Sequence, residues 1–455
     1  MCSFIRDQGE FMENNAYTID FIEQTGWDQL AKEVQHQSKR CLIDTLGALI
    51  AGQKTPVAGL MNSFAKRQFQ GDDATILVNG CKTSASGAAL VNGFAANALD
   101  VDDGYRRLKG HPGACILPVA LAAAEMASHI SGKEFLTAMV IGYEVAIRAG
   151  LIRHATYQTY HSSGSWGAIG GAAAAGKLLG LTRQSLFQAL GAAEYHAPIA
   201  PMMKGIQRPN MGKDSIGWGC MVGMMSTLMA DKGFTGVNPI FDDSPNQNWI
   251  NSLGQTYEMM SLYFKPYCAC RWAQPGVDGA LKIITENHLD IEDIKQIKVF
   301  TFKESAALST SYPQNTEEAQ YNIAFPIAAA LLDGEVGPKQ VLPPRLFDKD
   351  IRKVMDMIHI EAQERFQKEF PDKAQSEVEI TTMTGTKFFS GVMSARWDPH
   401  STFPTDQELE NKFLWLTTDI MGQTAAESLV KLIWNFDKQE QMDILIDLCV
   451  IHKGD

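Results

Sequence analysis

The sequence is poor in positive charge for its length, and this shortage limits the partners that the protein can have. Its 455 residues include 40 Lys and Arg against 52 Asp and Glu, which gives a formal net charge of −12. Nucleic acids and anionic membranes are bound by basic surfaces that displace counterions. The charge balance therefore argues against a nucleic-acid or a membrane partner, and any cationic site must be local.

The sequence also lacks the marks of export and of membrane insertion. Its first 15 residues, MCSFIRDQGEFMENN, contain no basic stretch followed by an apolar one, as a signal peptide would. The later apolar runs are interrupted by Lys, Glu, His or Gly, so we expect none of them to span a membrane. These features predict a cytoplasmic protein.

The eight cysteines form no recognisable framework. They are scattered along the chain, which in a protein without a signal peptide predicts reduced thiols. Cys268 and Cys270 are the only close pair, and no second pair completes the three or four ligands that a zinc or iron–sulfur site needs. We therefore expect no metal site.

Helical periodicity dominates residues 28–262, where Ala and Gly are frequent. The segment CLIDTLGALIAG predicts a helix that ends at Gly52. LPVALAAAEMASHISG predicts a helix that begins near Pro118 and ends at Gly132, and EFLTAMVIGYEVAIRAGL predicts the next one. Small residues recur at helical spacing, which indicates closely packed helices. The first half is therefore predicted to be a helical bundle.

After about residue 263 the pattern changes to mixed α and β. IKQIKVFTF alternates as a strand does, and SEVEITTMTGTKFFSGVM predicts a hairpin around Thr384–Gly385. Helices are expected at 276–287, 321–333 and 350–365. From Thr405 onward helical patterns return, which predicts that the tail rejoins the bundle.

The predicted fold class is therefore mainly α, with a large helical domain and an inserted smaller α+β domain that acts as a lid. The expected boundaries are 1–263 for the first part of the helical domain, 264–403 for the α+β domain, and 404–455 for the C-terminal helices.

The segment ALDVDDGYRRLKGHPGACILP places opposed charges next to a buried helix. His111 precedes Pro112 and so cannot lie inside a helix. We expect it on a turn at a helix entrance, where backbone N–H groups favour anions. Asp100 is expected to end the preceding helix nearby. A solvated loop with salt bridges is the alternative for the other charged residues of the segment, Asp102, Asp103, Arg106, Arg107 and Lys109.

Three further clusters carry groups that suit a polyanionic substrate. They are His161 in YHSSGSWG, for which a satisfied buried histidine is the alternative, Lys204, Arg208 and Lys213 in MMKGIQRPNMGKDSIGWG, and Lys265 and Arg271 in YFKPYCACRW. The last cluster lies at the expected domain boundary, where clefts form. Cations would hold carboxylates while a histidine or aspartate moves a proton at a neighbouring carbon. This chemistry leaves several reactions open.

Eight segments of the sequence resemble the MmgE/PrpD family. They are CLIDTLGALIAG, VNGFAANALDVDDGYRRLKGHPGACILPVALAAAE, GAIGGAAAAGKLLGLT, IGWGCMVGMM, GFTG, FKPYCACRW, AQYNIAFPIAAALLDGEV and TDQELENKF. They follow the family order over nearly the whole chain. The family includes 2-methylcitrate dehydratase, cis-aconitate decarboxylase and iminodisuccinate epimerase. The resemblance implies a homodimer, no required metal or organic cofactor, and an active site between the helical domain and the lid.

The resemblance also implies which residues form the site. Asp100 matches the first aspartate of the family's acidic segment, His111 the histidine of its His-Pro turn, His161 the histidine before the Ala/Gly-rich helix, and Lys265 the lysine that opens the lid. These four are the predicted catalytic residues. The predicted substrate-binding residues are Lys204, Arg208, Lys213, Cys270 and Arg271.

The sequence departs from familiar members at three positions. Gly104 stands where several relatives have threonine, Cys270 where the decarboxylases have histidine, and Gln274 where another histidine is common. The family's cation before IGWG is expected to come from either Arg208 or Lys213.

The predicted function is a lyase that acts on a citrate- or aconitate-like polycarboxylate, with dehydration as the first choice. Asp100 or a histidine would remove the proton next to a carboxylate, and His161 or His111 would protonate the leaving hydroxyl. Decarboxylation and epimerisation or isomerisation of a related acid are alternatives. A dimeric binding protein without catalysis is a third.

Overall fold

A computed structural model of the protein describes residues 13–127 and 129–451. In this part of the chain 21 α-helices and eight short strands are present, so the mainly α fold class is confirmed. The seven cysteines described are all free thiols, as predicted. The N-terminal segment examined for a signal peptide lies almost wholly outside the described residues.

The helices follow one another in chain order. They are α1 (Glu13–Gln24), α2 (Lys32–Gly52), α3 (Pro56–Gln68), α4 (Ala85–Asn97), α5 (Pro112–Met126), α6 (Gly132–Thr156), α7 (Gly164–Leu178), α8 (Arg183–His196), α9 (Met202–Gln207), α10 (Ile216–Asp231), α11 (Asn248–Asn251), α12 (Gln274–Asn287), α13 (Lys303–Ala306), α14 (Thr316–Gln320), α15 (Ala324–Asp333), α16 (Pro338–Val341), α17 (Lys349–Met355), α18 (Glu364–Gln367), α19 (Asp406–Met421), α20 (Gln423–Trp434) and α21 (Asp443–Cys449).

The strands form three separate sheets. They are β1 (Ala74–Ile76) with β2 (Cys81–Thr83), β3 (Gly104–Tyr105) with β4 (Leu262–Tyr263), and the four strands β5 (Ile294–Thr301), β6 (Ile358–Ala362), β7 (Gln375–Thr382) and β8 (Lys387–Ser394).

Helix α6 lies at the centre of the helical bundle. It is long and apolar enough to cross a membrane, so the prediction that every apolar run is too short was wrong for this segment. Its apolar stretch is completely buried inside the protein. It also carries an ion pair between Glu144 and Arg148 that is fully buried. Packing on all sides accounts for its apolar composition.

Small residues bring α6 and α7 into close contact, as the sequence predicts. A Cβ atom on Gly170 would lie 2.4 Å from Cβ of Ala146 and 2.5 Å from the carbonyl oxygen of Gly142. The two helix axes can approach this closely only because Gly170 has no side chain.

The boundaries predicted around α5 were wrong. The helix begins at Pro112, and Pro118 lies inside it. The proline ring removes the hydrogen bond that the carbonyl of Ala114 would accept, and the thiol of Cys220 donates to that carbonyl instead, at 3.4 Å. Gly132 begins α6 and does not end α5, because Ser131 caps α6.

The four-stranded sheet has the order β6-β5-β7-β8, with β5 and β6 parallel and the other pairs antiparallel. The strand β5 and the β7–β8 hairpin were predicted, and Gly385 has the positive φ of a turn, at 88°. The helix predicted over 350–365 is confirmed only in its first part, because α17 ends at Met355 and the chain continues into β6. Pairing with β5 fixes this segment as a strand.

The last three helices, α19 to α21, pack on the bundle. Thr405 and Glu408 form a capping box at the start of α19, as expected for Thr405. On this helix, Phe413 packs in the same hydrophobic core as α2. A second core is centred on the four-stranded sheet and α12 and α15. We call residues 264–403 the α+β unit; its limits and its role as a lid remain predictions.

Candidate active site

A cavity of about 500 Å³, counting its part open to solvent, lies between the helical bundle and the α+β unit. Charged and aromatic side chains share its wall with a few apolar ones. The lining residues are Asp100, Arg106, Lys109, His111, Tyr160, Met202, Ile206, Asp214, Tyr263, Lys265, Cys270, Arg271, Trp272, Tyr321, Phe370 and Pro371.

The acidic segment between α4 and α5 is buried. Asp102 and Asp103 are both 0% exposed, so the alternative of a solvated loop was wrong for these two residues. Arg106 and Lys109 are half-buried in the cavity wall, and only Arg107 is exposed. Buried charges are stable only when they have hydrogen-bond or ion-pair partners, and the following groups provide them.

Several residues at or beside the cavity have strained backbones. Asp100, Lys109, Lys213 and Ser215 have positive φ values of 54°, 51°, 40° and 55°. Non-glycine residues rarely adopt this conformation, and where they do they are often part of a functional site. At Asp100 and Lys213 the strain accompanies buried charged side chains, which must point in fixed directions.

Asp100 contacts three basic side chains at the cavity. Its Oδ2 accepts a hydrogen bond from Lys265 Nζ at 2.9 Å, and its Oδ1 lies 3.5 Å from Lys213 Nζ and 3.6 Å from His111 Nε2. Burial alone would raise the pKa of Asp100, but Lys265, Lys213 and His111 outweigh it and hold that pKa well below its usual range. Asp100 is therefore a weak base in this arrangement, and it fixes the position of Lys265.

His111 caps the start of α5 and presents one ring nitrogen to the cavity side. Its Nδ1 lies 3.1 Å from Oδ2 of Asp102 and 3.0 Å from the carbonyl oxygen of Asp103. Burial and the charge of Lys265 would lower the pKa of His111, but Asp102 outweighs both and raises it. The aspartate orients the ring and favours its protonated form, which suits a proton donor.

A second layer of buried charge supports this turn. Asp103 accepts hydrogen bonds from the backbone N–H of Gly113, at 2.9 Å, and from the Tyr143 hydroxyl, at 2.6 Å. Burial and the nearby carboxylate of Asp44 raise the pKa of Asp103 to about 7. A Cβ on Gly113 would lie 2.4 Å from the Tyr143 oxygen, so only glycine fits there.

Asp214 is the second carboxylate of the cavity wall. Ser163 donates to Asp214 Oδ1 at 2.8 Å and accepts from the backbone N–H of His111 at 3.0 Å. Tyr321 donates to Asp214 Oδ2 at 3.1 Å. These bonds join the His111 turn, the start of α7 and the α+β unit around one side of the cavity.

Asp398 holds two guanidinium groups on the wall. Arg271 donates to its Oδ2, and Arg106 Nη1 lies 3.8 Å from its Oδ1. The Arg271 guanidinium also lies 4.3 Å above the centre of the Tyr263 ring. Cys270 contributes a neutral thiol, because burial raises its pKa to about 12.

The structure brings together most of the residues predicted for the site. Asp100, His111, Lys265, Cys270 and Arg271 line the cavity, and Lys213 touches Asp100 from behind the wall. Nζ of Lys213 donates to the carbonyl oxygen of Asn97 and to Gln320 Oε1, at 2.5 and 2.6 Å. Of the two candidates for the family's cation, Lys213 is in the network.

Three other predicted residues neither line the cavity nor contact Asp100. Lys204 and Arg208 are exposed, on and just after α9. His161 is buried, and its ring packs edge to face on Tyr157 with centroids 5.5 Å apart, while neither ring nitrogen has a hydrogen-bond partner among the described residues. Burial lowers the pKa of His161. Its catalytic role stays a prediction.

Several wall residues were missed by sequence reasoning. Asp214 lies inside the segment RPNMGKDSIGWG, of which only the cations Arg208 and Lys213 were predicted to belong to the site. Tyr160, Tyr263 and Tyr321 carry no distinctive spacing. Asp398, which contacts Arg271 and Arg106 but does not itself line the cavity, comes from the end of the α+β unit, and no local pattern indicates these contacts.

The departures from the family pattern have local explanations. Gln274 is fully buried and donates to the carbonyl oxygen of Ala269 at 2.9 Å, so it holds the turn before α12. Gly104 faces Tyr263 across the β3–β4 pair.

In the described part of the chain no group of three or more His, Cys, Asp or Glu is arranged to hold a metal ion.

Two family models together match most of the chain. The model of the MmgE/PrpD N-terminal domain matches residues 18–258, and that of the MmgE/PrpD C-terminal domain matches residues 267–438. The chain is 24% identical over 451 residues to the cis-aconitate decarboxylase of Mus musculus, covering 92% of this chain and 90% of the relative. It is 25% identical to that of Homo sapiens over 452 residues, with 92% and 91% covered. It is 22% identical to that of Aspergillus terreus over 347 residues, with 67% and 69% covered.

Proposed function

Because the chain belongs to the MmgE/PrpD family, we propose that it is a lyase acting on a citrate- or aconitate-like polycarboxylate. The resemblance further implies that it needs no metal or organic cofactor. The reaction would begin at a carbon next to a carboxylate, where negative charge develops. The family relatives described above are named for such an acid, cis-aconitate.

The charge of the cavity wall carries this proposal. Four cationic side chains, those of Arg106, Lys109, Lys265 and Arg271, share the wall with two carboxylates, although the whole protein has a net charge of −12. A cavity that concentrates cations in an acidic protein selects anions. Cations fixed before the substrate arrives also stabilise the charge that develops during the reaction.

Dehydration is the first reaction to consider, because it needs a base and an acid and the wall offers both. Asp214 presents a carboxylate that could take the proton next to the bound carboxylate. His111, whose protonated form Asp102 favours, would donate a proton to the leaving hydroxyl. The low pKa of Asp100 makes that residue the weaker candidate for the base.

Decarboxylation is the second candidate, favoured by the names of the relatives. It needs no base, since the electron pair comes from the broken carbon–carbon bond. His111 would then protonate the carbon that lost carbon dioxide. Cys270, where the decarboxylases have histidine, argues for keeping dehydration first.

A substrate screen in deuterated water tests these proposals. 2-Methylcitrate, citrate, cis-aconitate and iminodisuccinate are each incubated with the enzyme and followed by NMR. Loss of water indicates dehydration, release of carbon dioxide indicates decarboxylation, and deuterium exchange without either indicates epimerisation. Binding without turnover would instead support a non-catalytic protein, and neither binding nor turnover of any acid would contradict the proposed function.

We also propose that the protein is cytoplasmic and that its α+β unit closes over the cavity as a lid.

We propose in addition that the protein is a homodimer. Helices α8 and α10 carry exposed apolar side chains that a second copy would cover. Tyr195 is 71% exposed, Trp218 40% and Phe234, just after α10, 43%. Light scattering should give the mass of a dimer, and Trp218→Glu should shift it toward the monomer; a monomeric wild type at every concentration would contradict the proposal.

A further inference from the structure

Three tyrosines line the cavity, and they differ in what their hydroxyl groups do. Tyr160 donates to the carbonyl oxygen of Lys109, and Tyr321 donates to Asp214. The hydroxyl of Tyr263 has no hydrogen-bond partner among the described residues, although the side chain is only 4% exposed and lies on the cavity wall. Tyr263 therefore keeps a donor available for a molecule in the cavity.

The position of this ring depends on a glycine. Gly104 and Tyr263 are direct partners in the β3–β4 pair. A Cβ on Gly104 would lie 2.2 Å from Cζ of Tyr263 and 2.3 Å from its hydroxyl oxygen. No real side chain allows such distances, so any residue larger than glycine at 104 would displace the end of the Tyr263 ring.

The surroundings keep the Tyr263 hydroxyl protonated. Burial raises its pKa to about 12, although the charges of Lys265 and Arg271 act in the opposite direction. The Arg271 guanidinium lies 4.3 Å above the ring centre and fixes its plane by a cation–π contact. At neutral pH the group is thus an oriented hydrogen-bond donor beside two cations.

We propose that the Tyr263 hydroxyl is a catalytic residue that donates a hydrogen bond to the oxygen on which negative charge develops, and that Gly104 makes room for it. The proposal rests on the proposed function in taking a polycarboxylate as substrate. Several members of the family have threonine at 104, and the decarboxylases have histidine at 270. This chain has neither of these hydrogen-bonding side chains, and Tyr263, which lies against Gly104 and lines the same cavity as Cys270, supplies a donor.

The first test is Tyr263→Phe, which removes only the hydroxyl. A donor that acts mainly on developing charge contributes roughly 10²–10³-fold to kcat. We expect a loss of about 100-fold in kcat with little change in KM, since the bond strengthens only as charge develops. A kcat and KM within twofold of wild type in a folded variant would overturn the proposal.

Tyr267→Phe is the matched control. Tyr267 lies in the same segment, is buried, and donates its hydroxyl to Asp278 at 2.7 Å, outside the cavity wall. Its replacement removes the same atom and should lower the melting temperature without changing kcat. An equal loss of kcat in both variants would assign the effect of Tyr263 to the segment's structure, against the proposal.

The role of Gly104 is tested by a double-mutant cycle. Gly104→Ala should lower both kcat and melting temperature in the wild-type background, because it displaces the ring. In a Tyr263→Ala background, where the ring is absent, the same change should leave the melting temperature nearly unaltered. Equal effects of Gly104→Ala in both backgrounds would overturn the assignment of Gly104.

A readout independent of turnover separates this proposal from the proposed function. In the protein labelled with 3-fluorotyrosine, each tyrosine gives a ¹⁹F signal, and the signal that is missing from the spectrum of Tyr263→Phe belongs to Tyr263. That signal should shift when citrate or cis-aconitate is added, even if the wild type converts neither acid. No shift with any acid of the screen would overturn the contact between Tyr263 and the ligand.

Discussion

At the scale of single residues, His111 combines the properties that proton transfer requires. It is buried, its Nδ1 is held by Asp102, and its Nε2 lies 3.6 Å from Asp100. General acid–base groups contribute about 10²–10⁴-fold to rate. His111→Ala should therefore lower kcat by at least about 100-fold in a protein with an unchanged circular dichroism spectrum.

His359→Ala is the control for this prediction, because His359 is exposed on the edge strand β6. It should retain wild-type kcat and KM. A folded His111→Ala variant with wild-type activity would remove His111 from the mechanism.

The pairing of His111 with Asp102 predicts the pH dependence of both activity and stability. The pKa of His111 is raised, so its ion pair stabilises the fold fully below the unfolded value of about 6.5, and this contribution is lost as the pH rises through the folded pKa. If His111 donates a proton, kcat should fall over the same alkaline range.

Asp102→Asn removes the charge that raises this pKa. The alkaline fall of kcat should then move to lower pH, which a pH–rate profile measures directly. The control is the wild-type profile at two salt concentrations, because salt screens exposed charges much more than buried ones. An alkaline limb that does not move in the folded variant would contradict the role of Asp102.

The sequence allowed part of this site to be predicted and not the rest. Asp100 and His111 flank one turn, and their position at helix ends made them visible. Asp214, Tyr263 and Asp398 act through contacts between segments that are distant along the chain. Nothing in the local sequence around them distinguishes a wall residue from an ordinary loop residue.

At the scale of helices and strands, contact between α6 and α7 depends on missing side chains. Gly170→Ala places a Cβ 2.4 Å from Ala146, and overpacking of a dense core costs about 1–3 kcal/mol. Thermal or urea unfolding should show this loss. The control is Gly59→Ala on α3, where no atom lies within 4 Å of the new Cβ, and a gain of up to about 1 kcal/mol is expected from helix propensity.

A Gly170→Ala variant as stable as Gly59→Ala would contradict this account of the packing.

The helices and strands also show where local sequence patterns predict structure correctly. Strand alternation predicted β5 and β7, which each have a buried face, and the turn residues Thr384–Gly385 predicted the hairpin to β8. It missed β6, since only pairing with β5 turns the segment after Met355 away from a helix. Pro118 misled for a similar reason, because its helix is repaired by Cys220 from α10.

At the scale of the whole molecule, a buried ion pair fastens the C-terminal helices to the bundle. Lys412 of α19 donates to Asp44 of α2 and, at 2.6 Å, to the carbonyl oxygen of Val101. Both side chains are almost fully buried. Lys412→Met leaves Asp44 buried without its cation, and breaking such a pair costs about 3–5 kcal/mol.

Denaturant unfolding measures this loss, and Lys353→Met is the control. Lys353 pairs with Asp350 on the surface, where both side chains are more than half exposed, so no measurable change is expected. A Lys412→Met variant as stable as the control would contradict the buried pair. The same comparison shows why the sequence could predict the return of helices after Thr405 and not the pair that anchors them.

The contacts of Asp398 with Arg271 and Arg106 affect how an anionic ligand can bind. This carboxylate already occupies Arg271 and reaches Arg106, as an incoming acid group would. Binding at either guanidinium is thus an exchange of anions, in which the protein's own carboxylate must yield or share its place. The affinity of the cavity for an acid would therefore reflect the difference between the binding of that acid and the binding of Asp398 at the same two arginines.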